Sequence, residues 1–314
     1  MRTARFPAVM VLGVALVACG ERSEVTPAGT ASDRTSDASS AGADAAEEAA
    51  PVTQTVKFRT SDGVELHALL RGAGDLRSRP LIVEFSPYGD ASAVPDFGPD
   101  YNHVFVHARG TGRSTGAWSA VGPRDQHDVA EFLEWACEQP WSDGRIGLYG
   151  FSASAIAVYN SMHLPLACVK AAALMAGTNA LYRDLLYAGG ILNVVPELVV
   201  GFGVGLPLLA SVPFRMQEGQ TFEPLEAGLA LQLLAVDLLR HPTEDDYWLE
   251  RTHRAGPNTF PVLANTGFYD VESRGPFQSY QMLRDLGVPV HLRVLGAHDG
   301  FPAGTPGPFP EYRR

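Results

Sequence analysis

A serine between small residues, a late aspartate and a later histidine stand in an order that suits nucleophilic chemistry. The run Leu148-Tyr149-Gly150-Phe151-Ser152-Ala153-Ser154-Ala155 reads as a strand, then Gly-x-Ser, then a helix. Small residues two before and two after the serine allow a sharp strand-to-helix turn. That turn lifts the serine Oγ above a sheet, near the positive end of the following helix. Residue 154 is serine where such turns usually carry glycine, and residue 155 is alanine. Both are small enough for the turn. Taken alone, Gly-x-Ser followed by small residues recurs by chance, so its place after a strand gives it weight. A nucleophilic serine needs a base, and the base needs an orienting acid. Asp270 and His298 follow in that order, each just after an apolar run ending at Asn265 or near Leu295. By itself a loop aspartate is usually a cap and a loop histidine usually a solvated surface residue.

The elements that must hold these residues are legible as alternating runs. Thr53–Arg59 and Val64–Leu70 flank Ser61-Asp62-Gly63 and read as a hairpin. Buried strands are expected at Pro80–Phe85 and His103–His107, and strands at Arg145–Tyr149, Lys170–Met175, Phe260–Asn265 and Val288–Leu295. Apolar residues at Val129, Phe132, Leu133 and Ala136 predict a helix over Asp125–Glu138. Further helices are expected from Ser152 and over Ser273–Leu286. This alternation predicts an α/β fold with a mainly parallel sheet flanked by helices. Residues 178–256 interrupt it and read as an inserted helical cap. Leu198–Phe214 is uncharged, but Pro207 and Pro213 break it and Glu197 and Arg215 bound it, so it reads as buried cap and not as a membrane span. Serine, acid and histidine in this order, on these loops, match the chain order of α/β-hydrolases.

Longer motifs sharpen the match. They are Ser86-Pro87-Tyr88, Arg109-Gly110-Thr111-Gly112-Arg113-Ser114-Thr115-Gly116, Pro140-Trp141-Ser142-Asp143-Gly144 and Gly147-Leu148-Tyr149-Gly150-Phe151-Ser152. His241-Pro242-Thr243-Glu244-Asp245-Asp246-Tyr247-Trp248, Gly267-Phe268-Tyr269-Asp270 and Gly296-Ala297-His298 follow. With these, residues from about 56 to 300 resemble the bacterial cocaine esterase and Xaa-Pro dipeptidyl-peptidase group of serine hydrolases. The resemblance implies Ser152 as nucleophile, His298 as general base and acid, and Asp270 as orienter. It also implies an oxyanion hole made by the Tyr88 hydroxyl and the backbone N–H of Ala153. The group usually has tyrosine at 153 and glycine at 155, and it continues past the histidine into a closing helix and a β-sandwich domain. The glycine-rich run at 109–116 lacks the Lys-Ser/Thr ending of a phosphate loop and reads as tight turns packed near the serine. Asp245 and Asp246 read as structural, in a segment that closes the cap onto the core.

Composition bounds the rest. The chain has 314 residues, a net charge of −11 and 46% hydrophobic residues. That is too apolar for global disorder and too acidic for a nucleic-acid partner. No metal-ligand spacing occurs, and no cofactor is implied. Arg2 and Arg5 precede an apolar stretch, Phe6–Ala18, which is too short for a comfortable membrane span and suits an export signal. Its end, Leu16-Val17-Ala18-Cys19, resembles a bacterial lipobox, which implies lipidation at Cys19 and a membrane anchor facing the periplasm or cell surface. Residues 19–50 hold no aromatic residue and read as a disordered tether, leaving 51–314 as the hydrolase domain. Cys137 and Cys168 are either a disulfide or two small buried residues. The expectation is an exported serine hydrolase acting on small ester or amide substrates or short peptides. The alternative is a catalytically inactive binding lipoprotein on the same fold.

Overall fold

The computed structural model describes residues 50–88, 97–193, 236–254, 256–268 and 273–295. The leader, Cys19, the tether up to 49, Leu198–Phe214, Asp270 and His298 lie outside the described residues. Eight strands form one sheet: β1 (Pro51–Arg59), β2 (Glu65–Ala73), β3 (Arg79–Ser86), β4 (Asn102–His107), β5 (Ser142–Phe151), β6 (Val169–Met175), β7 (Val262–Gly267) and β8 (Val290–Leu295). Their spatial order is β1-β2-β4-β3-β5-β6-β7-β8. β1, β2 and β4 pair antiparallel, and every pairing from β4 to β8 is parallel. The main helices are α1 (Pro123–Cys137), α2 (Ala153–Ser161) and α4 (Arg274–Asp285), with a short α3 (Asp246–Leu249). This is the α/β-hydrolase architecture, with a helical region inserted between β6 and β7.

Each expected strand and the three longer helices appear where the hydrophobic periodicity put them. β5 starts three residues earlier than the apolar run alone predicts. Ser142 pairs with Arg79 across a register shift, and Gly144 at φ +81° takes up the bend. The core lies between the sheet and one layer of helices. Val83, Phe85 and Leu148 of the sheet pack with Phe132 and Leu133 of α1, Val158 of α2 and Leu283 of α4. The inserted region starts with a π-helical turn, Tyr182–Leu186, and returns through α3. No described helix is long and apolar enough to cross a membrane.

Two polar devices fix this layer. The Arg109 guanidinium grips Asp128 of α1 through Nε and Nη2, each at 2.7 Å, and Asp62 of the first hairpin turn through Nη1 and Nη2 at 3.1 and 3.2 Å. Arg109 and Asp128 are buried, so the pairing offsets a desolvation cost that either group alone would leave uncompensated. Gly112 turns back on the same loop; a Cβ there would fall inside the His107 ring, at 2.0 Å from Nδ1. The returning cap segment is tied down in the same way. Trp248 is fully buried and donates from Nε1 to His241 O at 2.8 Å. Asp245 holds the His241 ring at 2.7 Å, the structural part its sequence context suggested. Arg251 stacks on Tyr247 at 3.6 Å and donates to Ser119 O at 3.0 Å, which joins the segment to the approach to α1.

Cys137, at the end of α1, and Cys168, just before β6, form a disulfide with Cα atoms 6.1 Å apart. The bridge spans a sequence separation of 31 residues and closes the base of the α1–β5–α2 unit. Removing a constraint of that length from the unfolded chain costs roughly 3–4 kcal/mol. Cys137→Ser should therefore lower the thermal midpoint by about 10 °C. Dithiothreitol should lower the wild type equally and leave the variant unmoved, as read by circular dichroism melts.

Candidate active site

The turn from β5 into α2 is the centre of the site. Ser152 sits at φ 52° and ψ −120°, a backbone state that side-chain-bearing residues avoid. Its N–H donates to Met175 O on β6 at 2.9 Å, and its C=O accepts from Ile156 N–H at 3.0 Å to start α2. The strain is therefore held from both sides. Gly150 is required by contact: a Cβ there would lie 2.6 Å from Ala155 N and 2.7 Å from Ala155 Cα. Ala155 is accommodated because residue 177, opposite it, is glycine; a Cβ there would approach Ala155 Cβ to 2.5 Å. The alanine that departs from the usual pattern thus has its own matching vacancy across the turn.

Tyr88 reaches the same point from β3. The strand order places β3 beside β5, so the residues after Ser86 emerge next to those after Phe151. The Ala153 N–H donates to Tyr88 Oη at 3.2 Å. The Tyr88 N–H donates to Ser86 Oγ at 3.3 Å, which ties the tyrosine to the end of its strand. Its ring packs against an apolar cluster that includes Trp118, Leu186, Tyr187 and Trp248, so core and cap both grip it. A phenol hydroxyl and a backbone N–H of the first helical turn therefore meet beside the serine. With both hydrogens turned to a third oxygen in place of this mutual contact, such a pair can stabilise negative charge there. The loop 109–116 packs close by, as expected: Arg109, Ala108, Trp118, Ala153 and Ala157 line one small cavity of about 20 Å³ behind α2.

β7 and β8 end level with this turn. Phe151 pairs with Met175, Met175 with Asn265, and Gly267 with Leu295. In sequence, Asp270 and His298 follow the ends of these two strands, at Gly267 and Leu295. Both residues themselves lie outside the described residues. The structure thus brings Ser152, Ala153 and Tyr88 together.

One group at the site has no counterpart in the sequence reading. The Ser154 hydroxyl donates to Glu84 Oε1 of β3 at 3.2 Å, and both side chains are buried. Burial pushes the Glu84 carboxyl up to about 7, against the opposing pull of the Ser154 hydrogen bond. The available signal was a lone carboxylate inside the apolar run Leu81-Ile82-Val83-Glu84-Phe85.

A family model for the X-Pro dipeptidyl-peptidase (S15) family matches residues 62–298, three quarters of the sequence. The chain belongs to this family. Among curated proteins, the cocaine esterase of Rhodococcus sp. (strain MB1 Bresler) is 26% identical over 172 residues, covering 46% of this chain and 30% of that enzyme. Among solved structures, a CocE/NonD family hydrolase from Staphylococcus aureus superposes with a TM-score of 0.63 at 21% identity, over 79% of this chain and 47% of that one. An aminopeptidase from a marine sediment archaeon (Thaumarchaeota archaeon) gives 0.62 at 17%, over 85% and 52%. Both are likenesses of fold. This S15 chain spans about half the length of those structures and less than a third of the esterase.

Glu84 generates a pH signature. Between 4.5 and about 7 the folded state keeps a proton that the unfolded chain has released, so this group's contribution to stability falls as pH rises through that window. In urea titrations from pH 4.5 to 8, Glu84→Gln should gain stability relative to wild type as pH rises. A constant difference across the series would show that the carboxyl ionises normally.

Proposed function

We propose that this chain is a serine hydrolase that transfers the acyl group of an ester or amide to water through Ser152. The observation that carries the reading is the strained Ser152 turn with the Ala153 N–H and Tyr88 Oη 3.2 Å apart beside it. Family membership supports the same reaction class. In this reading the Ser152 Oγ attacks the carbonyl carbon while His298 takes its proton, with Asp270 orienting the imidazole. Negative charge moves to the carbonyl oxygen, which Tyr88 Oη and Ala153 N–H receive. Collapse of this intermediate breaks the C–O or C–N bond, and His298 returns the proton to the leaving group. Water, deprotonated by His298, then attacks the acyl-enzyme and frees Ser152.

The substrate choice within this class lies between small esters and proline-containing peptides. The curated relative is an esterase, and the matching family is named for X-Pro dipeptidyl-peptidases. The location belongs to the same proposal: an exported protein anchored by lipid on Cys19. The Cys137–Cys168 disulfide supports an oxidising compartment, and the Leu16-Val17-Ala18-Cys19 sequence supports the anchor.

A fluorophosphonate probe should label the wild type and not Ser152→Ala. A well-folded wild type that takes no label would overturn the hydrolase reading and leave the fold as a binding protein. Turnover of p-nitrophenyl esters against Xaa-Pro anilides assigns the substrate class. Metabolic labelling with palmitate should mark the wild type and not Cys19→Ser; an unlabelled wild type would overturn the anchor.

A further inference from the structure

The two candidate oxyanion donors come from different elements, Tyr88 from the end of β3 and Ala153 from the first turn of α2. A pair of donors is effective only if their separation and aim are held to a fraction of an ångström. Parallel pairing of β3 with β5 sets this only coarsely, because both donors lie beyond the paired residues. A second connection lies directly beneath them. Ser154, the residue after Ala153, donates its hydroxyl to Glu84 of β3, four residues before Tyr88, which follows that strand.

We propose that Glu84, acting through the Ser154 hydroxyl, positions Tyr88 Oη and Ala153 N–H relative to each other and so sets the rate of acyl transfer at Ser152. The contacts form a closed ring. It runs from Glu84 along β3 to Ser86, whose Oγ accepts from Tyr88 N–H at 3.3 Å. It continues from Tyr88 Oη to Ala153 N–H at 3.2 Å, then to Ser154 and back to Glu84 at 3.2 Å. Ser154 is fully buried and Glu84 is 7% exposed, so water does not compete for the bond and its loss is felt. An apolar residue at 84 would avoid the burial of a carboxyl altogether. The hydroxyl at 154 gives that carboxyl a partner, and the partner stands next to the oxyanion donor. Glu84 touches neither substrate nor reacting atoms in this scheme and is a positioning residue. Burial raises its carboxyl to about 7, so below that pH it holds a proton, and glutamine mimics this neutral form in shape and in accepting the Ser154 hydroxyl.

The proposal rests on the acyl-transfer reading of Ser152. Its test uses the full chain, with p-nitrophenyl butyrate turnover and fluorophosphonate labelling rates for wild type, Ser154→Ala, Glu84→Leu, the double variant and Glu84→Gln. Ser154→Ala and Glu84→Leu should each lower kcat about tenfold with KM within about twofold of wild type. The double variant should fall no further than the worse single, because one bond serves both residues. Glu84→Gln should return kcat to within about threefold of wild type. Should Glu84→Leu fail to fold, Ser154→Ala and Glu84→Gln decide. A folded Ser154→Ala with wild-type kcat and labelling rate, losses that multiply in the double variant, or a lowered melting point with kcat intact would each overturn the positioning role alone. A wild type that takes no label overturns the acyl-transfer reading and this proposal with it.

Discussion

The turn from β5 into α2 leaves no room for a side chain at residue 150, and much of the site follows from that contact. Gly150 lets Ala155 lie against the strand, and Gly177 makes the matching space on the other side. With the helix this close, Ser152 holds φ 52° while its N–H and C=O are both bonded. The strained residue is over-determined by its neighbours, which is the condition under which such a backbone persists. The helix then begins with Ala153, and its first free N–H arrives at Tyr88.

The second requirement is that the platform under this turn does not shift. The sheet supplies most of it through parallel register from β3 to β8. Buried charge supplies the rest. Arg109 reaches the first hairpin turn and α1 at once, and its planar fork meets Asp128 with two bonds. Asp125 accepts from Ser119 N–H, Ser119 O–H and Gly122 N–H, closing the start of α1. Arg251 brings the returning cap segment to the same Ser119. Hairpin, first helix and cap therefore converge on one region behind the elbow, and the aromatic cluster around Trp248 backs the tyrosine that faces the serine.

Much of the fold was legible because buried parallel strands and amphipathic helices write themselves as local runs. Val129, Phe132, Leu133 and Ala136 mark the buried face of α1, and each is buried. The start of β5 was less legible, because Ser142-Asp143-Gly144 carries no apolar signal and pairs through a bulge. Trp141, within a recognised motif, proved to be a core residue whose carbonyl receives the Asn102 side chain at 2.8 Å. The Cys137–Cys168 pairing was left open by the sequence, since sulfur atoms meet only if the end of α1 and the start of β6 do. Along the sequence Glu84 is one residue of an apolar strand and Ser154 one small residue of a turn; only the fold joins them.

The order of residue types along the chain was settled by sequence alone: a strand, a tight Gly-x-Ser turn, a helix, and a later acid and histidine after late strands. These are local properties, carried by side-chain size and by the period of apolar residues. Which strand lies beside which was settled only by tertiary structure. Tyr88 and Ala153 are 65 positions apart and Glu84 and Ser154 are 70 apart, and nothing in either neighbourhood specifies the other. They meet because the chain passes from β4 through α1 to the far side of β3, placing β5 against it. That choice comes from burying the sheet and its helices together. It brings two motifs far apart in sequence into one contact, Ala153 N–H on Tyr88 Oη, beside one buried carboxyl.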